Sequence, residues 1–350
     1  MSPDNIFEGA NEDEESSSES NPSERKLGYG AAVVETMAQI MREDESVFLA
    51  GEDVGAHGGV FGYFRGLQPE FGEDRVVDTP IAEQAIIGLG IGAAVGAAMS
   101  GLRPIAELMY VDFFGMSMDQ IANQAAKLKY MFGGGATLPL TITTAGGAGL
   151  SAAAQHSQSL EAMLCHIPGL KVVMPSDAYE VKGLLTSCIR EDNPTVFIIN
   201  KRKLADTCHV PEELFEIPLG EGHVIREGSD VTVVAIGRMV DEAKKAAEKL
   251  SSEGIDCELI NPRTVQPLDI DLIVESVSKT GHAVIVHEAV RFGGIGAEIA
   301  SQIQEQAFDY LDAPIGRVAA PFSPIPFSPA LEKHYVPDAE RIVTSIKNLF

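Results

Sequence analysis

Short apolar runs, too brief to be helices, recur along this chain with longer helical stretches between them, and that alternation restricts the fold more than any other feature. Strands are expected over 47–50, 75–77, 105–109, 138–143, 170–174 and 195–200, with helices over 30–42, 82–99, 114–130 and 175–190. Parallel strands need a crossover, usually a helix, so strands that alternate with helices predict a parallel sheet covered on both faces. After a polar, proline-containing connector the rhythm restarts, with strands over 231–236, 256–260 and 283–287 and helices over 240–251, 269–278 and after Gly293. The expected architecture is α/β in two units: a larger parallel-sheet domain over 27–203, a linker over 204–227 and a smaller α/β domain over 228–350. A chain of 350 residues has room for two cores of ordinary size.

Charge narrows the partners. The formal net charge is −25, from 51 acidic and 26 basic residues. Met1 to Arg25 holds eight acidic residues and one basic, which leaves the body at −18. A body that acidic repels nucleic acid and anionic membrane. The Ser-rich acidic stretch over 1–26 cannot bury a core and is expected to be disordered. It has neither the basic-then-apolar pattern of a secretory signal nor that of a transit peptide, so the expected location is the cytoplasm. The longest apolar run, 85–99, is rich in Gly and Ala and too short for a membrane span. Cys165, Cys188, Cys208 and Cys257 lack the paired spacing of a zinc site and read as reduced thiols.

Gly88-x-Gly90-x-Gly92 invites a dinucleotide reading, but its spacing is wrong and it falls within a helix rather than between strand and helix. Close packing against a neighbouring backbone is the better reason for those glycines and for Gly96. Gly293-Gly294-Ile295-Gly296 opens a helix and reads as a tight turn. Glu83 sits among Ile81, Ala82, Ala85 and Ile86, an apolar setting that raises a carboxyl pKa. A lone acid there is a helix cap or a functional group. His156 lies in a run of small residues between Gly146-Gly147-Ala148-Gly149 and Ser157-Gln158-Ser159. A structural histidine and a catalytic one both fit that setting.

The ordered motifs say more. Gly51-Glu52-Asp53-Val54-Gly55, Gly58-Gly59-Val60-Phe61 and Asp78-Thr79-Pro80-Ile81-Ala82-Glu83 resemble the beta subunits of the thiamine-diphosphate-dependent 2-oxo acid and acetoin dehydrogenases. Gly101-Leu102-Arg103-Pro104, Gln155-His156-Ser157-Gln158-Ser159, Pro168-Gly169-Leu170, Pro262-Arg263-Thr264 and Pro321-Phe322-Ser323-Pro324 continue the likeness from about Leu27 to Phe350. The resemblance implies a pyrimidine-binding parallel-sheet domain followed by a transketolase C-terminal-like domain. It also implies a site shared with an alpha subunit in an alpha-two beta-two heterotetramer. In such pairs the alpha chain holds the diphosphate and its Mg²⁺ through a Gly-Asp-Gly motif, and this chain contains no Gly-Asp-Gly.

Carried over by position, Glu83 is the carboxyl that hydrogen-bonds the pyrimidine ring nitrogen and so promotes proton removal from the thiazolium C2. Phe113 is the aromatic that stacks on the pyrimidine, Glu52 a second acid near the same ring, and His156 the histidine that handles protons during acyl transfer to a lipoyl group. A lipoylated acyltransferase core is the implied further partner. The family can also hold a structural potassium ion on backbone carbonyls, here those of Leu138, Leu140, Thr141, Cys188, Glu191 and Asn193. The implied reaction is decarboxylation of a 2-oxo acid, pyruvate or branched-chain, with reductive acylation of lipoyl groups. Met109, where branched-chain enzymes tend to carry Gln, brings acetoin cleavage close behind. Thr143 stands where most members have Arg, and the expected consequence is the loss of a charged donor near the His156 loop. Two other readings are a split transketolase half, for which the loop lacks an Arg and His cluster, and a non-catalytic scaffold, against which Glu83 and His156 argue.

Overall fold

The computed structural model describes residues 25–350; of the stretch expected to be disordered over 1–26, residues 1–24 lie outside the described residues, while Lys26 is ordered as the start of β1. The chain starts with β1 (Lys26–Gly28), α1 (Tyr29–Glu43), β2 (Val47–Gly51), α2 (Leu67–Phe71), β3 (Val76–Asp78), α3 (Glu83–Ser100) and β4 (Arg103–Tyr110). After a 3₁₀ turn (Val111–Ser117) and a π-helix (Asp119–Ala125) come α4 (Leu128–Met131), β5 (Thr141–Gly146), α5 (Glu161–Cys165), β6 (Lys171–Val173), α6 (Ala178–Arg190) and β7 (Thr195–Asn200). β5 and β7 are buried at every position, so neither shows the in-out alternation of a half-exposed strand. α1 and α6 cover one face of the sheet and α3 the other.

After the connector strand β8 (Thr207–His209), the second unit consists of β9 (His223–Arg226), β10 (Val231–Ala235), α7 (Met239–Ser251), β11 (Cys257–Asn261), β12 (Thr264–Gln266), α8 (Ile270–Thr280), β13 (Ala283–Val290), α9 (Ile295–Ala307), β14 (Gly316–Ala320), α10 (Pro329–Tyr335) and α11 (Ala339–Lys347). Its five-stranded sheet runs β14-β13-β10-β11-β9, parallel except for β9. The connector is more ordered than its polar composition suggests: β8 pairs with β1, and β9 forms the edge of the second sheet. Arg25 is already fastened to the fold, donating to the carbonyls of Val210 (3.1 Å) and Pro211 (2.9 Å).

β12 leaves the second unit and pairs antiparallel with β6, completing a seven-stranded sheet in the order β12-β6-β7-β5-β4-β2-β3. One apolar core then runs through both units, from Ile87 and Leu140 to Ile260, Ile285 and Ile299. A buried clamp reinforces it, with Asn261 Nδ2 (2.9 Å) and Arg263 Nε (2.8 Å) both donating to Glu180.

Three expectations need correcting. The single helix over 114–130 is instead a 3₁₀ turn, a π-helix and a short α-helix. Val111, Phe114 and Ser117 are the buried residues of the first segment, and their spacing of three suits the tighter turn. The strand expected over 138–143 begins at Thr141, because Pro139 cannot donate to a ladder and Leu138 N–H bonds the carbonyl of Asp192 instead (3.0 Å). No neighbouring backbone explains Gly88, Gly90 or Gly92: a Cβ at Gly90 would meet side chains, Leu140 Cδ1 at 2.8 Å, one at Gly88 nothing nearer than Gln120 Oε1 at 3.8 Å, and Gly92 faces open space. The surroundings of Gly96 lie outside the described residues.

Candidate active site

The strands β2, β3, β4, β5 and β7 are parallel, so their carboxyl ends meet along one edge, where ligands of open α/β sheets bind. At the end of β2, Gly51 has no side chain because a Cβ there would lie 2.6 Å from Glu107 Cβ. Glu52 follows, 6% exposed, with Oε1 buried and without a hydrogen-bond partner. Burial raises its pKa, and the charges of Glu83 and Asp53 raise it further. That coupling marks Glu52 and Glu83 as neighbours. Glu83 is the first residue of α3 and half-buried, and the helix N-terminus favours a carboxylate there.

Beneath them lies an acid that sequence reasoning missed. Glu107, 4% exposed on β4, accepts from Tyr63 Oη (2.5 Å) and from Thr143 Oγ1. Burial pushes its pKa up to about 8, against the lowering by those two hydrogen bonds, so near neutrality this carboxyl holds its proton. The β4–β5 register pairs Glu107 with Thr143 directly. Thr143 thus faces a buried acid rather than the His156 loop, and the expected loss of a loop contact is corrected.

An aromatic wall stands next to these acids. Phe61 meets Tyr110 edge-on (5.4 Å between centroids), and Tyr110 meets Phe113 (5.6 Å). The His156 ring lies edge-on to both Tyr110 (4.9 Å) and Phe113 (5.5 Å). Lys201, at the end of β7, holds the loop from below. Its ammonium donates to the carbonyl of His156 and lies 4.9 Å from the Tyr110 ring centroid. Burial brings the Lys201 pKa down to about 8, partly offset by the charges of Asp112, Glu288 and Glu332. Asp112 Oδ1 accepts both Gln158 N–H (3.1 Å) and Gln158 Nε2 (2.9 Å), tying the 3₁₀ turn to the loop.

The structure thus brings Glu52 to Glu83 and Phe113 to His156, and Tyr63, Glu107 and Tyr110 connect the two pairs. Gly293 to Gly296 form a tight turn over the ring of buried His287, where a Cβ at Gly296 would lie 2.6 Å from Nε2. All four cysteines are free thiols, with Cys188 and Cys257 buried. Among the described residues no group of three or more His, Cys, Asp or Glu is placed to hold a metal ion, and no helix is long and apolar enough to cross a membrane.

Four of the six carbonyls expected to hold potassium accept hydrogen bonds within the protein. Leu138 O accepts Leu140 N–H (2.8 Å), Leu140 O accepts Thr195 N–H (2.9 Å), and Cys188 O accepts Thr141 Oγ1 (3.1 Å). Arg103 Nη1 donates to Glu191 O (3.1 Å). Each of these carbonyls keeps a second lone pair, and the Arg103 guanidinium is itself paired with Asp192 (2.7 Å); no step is assigned to potassium.

Comparison with known proteins agrees with this geometry. Residues 25–207 match the transketolase pyrimidine binding domain and residues 220–342 the transketolase C-terminal domain. The acetoin:2,6-dichlorophenolindophenol oxidoreductase subunit beta of Bacillus subtilis (strain 168) is 46% identical over 332 residues, covering 91% of this chain and 96% of that one. The chain belongs to the thiamine-diphosphate-dependent 2-oxo acid dehydrogenase beta subunits. In the same family, the pyruvate dehydrogenase E1 component subunit beta of Rickettsia felis is 44% identical over 318 residues, with 91% and 96% coverage. A solved split gene transketolase, described as an inactive beta4 tetramer, shares the fold with a TM-score of 0.74 at 22% identity, over 91% of this chain and 96% of that chain.

Proposed function

We propose that this chain supplies the pyrimidine-binding half of a thiamine diphosphate site completed by an alpha subunit. The assembled pair decarboxylates a 2-oxo acid, pyruvate or branched-chain, and passes the acyl group to lipoyl groups of an acyltransferase core. One observation carries the reading: a half-buried acid (Glu83), a second buried acid with an unpartnered oxygen (Glu52) and an aromatic wall (Phe113, Tyr110) meet at one sheet edge. Those residue types fit an aminopyrimidine, which offers ring nitrogens to acids and a flat face to aromatics. Thiamine diphosphate, when bound, supplies the carbon nucleophile and the electron sink. Glu83 hydrogen-bonds the pyrimidine ring nitrogen, Phe113 packs on the ring, and His156 takes or gives a proton at the acyl-transfer step. Burial, and then the charges of Glu83 and Asp53, disfavour the anion of Glu52. Mg²⁺ is assigned to the alpha chain with the diphosphate.

Acetoin is the second reading, favoured by Met109 on β4 and by the 46% identical acetoin enzyme subunit. Co-expression with the alpha chain, followed by dye reduction with thiamine diphosphate and Mg²⁺ against pyruvate, branched-chain 2-oxo acids and acetoin, separates the two. Turnover that needs both chains supports the half-site, and the preferred substrate decides between the readings. A stable complex that turns over none of them favours a scaffold subunit.

A further inference from the structure

The loop that carries His156 is closed at its neck by Gly147 N–H donating to Gln158 O (3.0 Å). Between those points the backbone takes a conformation it would not hold unaided. Gly147 (φ +88°), Gly149 (φ +110°), Ser151 (φ +53°) and Ala153 (φ +62°) all lie on the positive side, and two of them carry side chains. What holds this shape comes from the other sheet's unit. Glu288, at the end of β13, accepts Ala148 N–H (2.5 Å), while Arg238 Nη1 donates to Ala148 O (3.0 Å). Glu332 of α10, 3% exposed, accepts Gly149 N–H through one oxygen (2.8 Å) and Ser151 N–H through the other (2.9 Å), with Ser151 Oγ at 3.3 Å.

We propose that Glu332 is a positioning residue for His156: by gripping two alternate backbone N–H groups it sets the curvature of the loop and so the place of the imidazole against Tyr110 and Phe113. The inference rests on the role given above to His156. Glu332 lies in the carboxyl-terminal domain and on α10, remote in sequence from the parallel-sheet edge, so the second domain takes part in the reaction by shaping a loop of the first. A carboxylate suits the task because it accepts two N–H groups at once and bonds them more strongly than a neutral acceptor.

The test uses the assembled alpha–beta pair with thiamine diphosphate, Mg²⁺ and free lipoamide as acyl acceptor. Glu332→Ala is expected to lower kcat for lipoamide acylation by about 10²-fold, the cost of a small misplacement of a reacting group, with KM for lipoamide little changed. Glu332→Gln keeps one amide oxygen as acceptor and is expected to lose less. This near-isosteric variant keeps the test decisive if the alanine variant fails to fold. Because Glu332 acts through His156, adding Glu332→Gln to His156→Ala should lower the rate no further. Equal multiplicative losses in both backgrounds, or full lipoamide acylation in folded Glu332→Gln, overturn the inference. Normal acylation by His156→Ala overturns the catalytic reading beneath it, whatever Glu332 does.

Discussion

Glu107→Gln should flatten the pH dependence of stability. The folded chain holds the Glu107 proton up to about pH 8, because burial opposes ionisation, whereas the unfolded chain releases it near 4.5. Between those values the native state binds one more proton than the unfolded state, so its contribution is complete below pH 4.5 and is lost as pH rises towards 8. Each pH unit in that window removes about 1.4 kcal/mol, roughly 4 kcal/mol from pH 5 to pH 8 as an upper bound. Against a total stability on the order of 5–15 kcal/mol that is large. Glutamine keeps an acceptor for one of the two hydroxyls, Tyr63 or Thr143, and offers the other an N–H, but has no proton to lose. Urea unfolding of the purified chain at pH 5.5, 6.5 and 7.5 measures the two slopes; buried Glu161, with its pKa raised to about 7, contributes to both alike. Parallel curves for wild type and Glu107→Gln would refute a neutral Glu107.

Further outcomes follow from the same geometry. Glu83→Gln should abolish exchange of the thiazolium C2 proton in the assembled pair while leaving the melting temperature of the chain nearly unchanged; normal exchange would remove Glu83 from its role. Thr143→Val strips Glu107 of one of its two donors and should cost about 1–3 kcal/mol in chemical denaturation. Gly90→Val drives a methyl into Leu140 and Ala106 and should destabilise by about 1–3 kcal/mol or more, whereas Gly92→Ala, facing open space, should be tolerated, as thermal melts can check. Light scattering of the co-purified chains should give the mass of an alpha-two beta-two assembly, and a monomeric beta chain in the presence of alpha would count against it.

How much of this was legible in the sequence depends on what each residue answers to. The parallel sheet could be read from strands such as Thr195–Asn200 because continuous burial leaves a continuous apolar run. Glu52, Glu83, Phe113 and His156 stood out through ordered motifs, and the structure gathers them at one edge. Glu107 did not stand out, since an acid at the end of Ile105-Ala106 looks like any strand residue until register sets it opposite Thr143. Lys201 read as one of several basic residues closing the first domain, although it ends up buried under the His156 carbonyl. The broken helix after β4 was hidden for a related reason: helices bonded three, four and five residues apart have side-chain periods too similar to be separated by pattern alone over so short a stretch. Glu332 and Glu288 were invisible because the bonds by which they hold the loop go mainly to backbone N–H groups, which leave no trace in residue type.

The short strand β12 has a practical consequence. It belongs by sequence to the second unit, yet it lies along β6 and shields the outer edge of the first sheet. A fragment ending in the connector would leave β6 with an open row of donors and acceptors, the kind of edge that recruits other chains. Separate expression of the first unit should therefore yield aggregates. A single protease cut between β8 and β9, by contrast, should leave two pieces that stay together through a gel-filtration column, because the sheet and the shared core still join them.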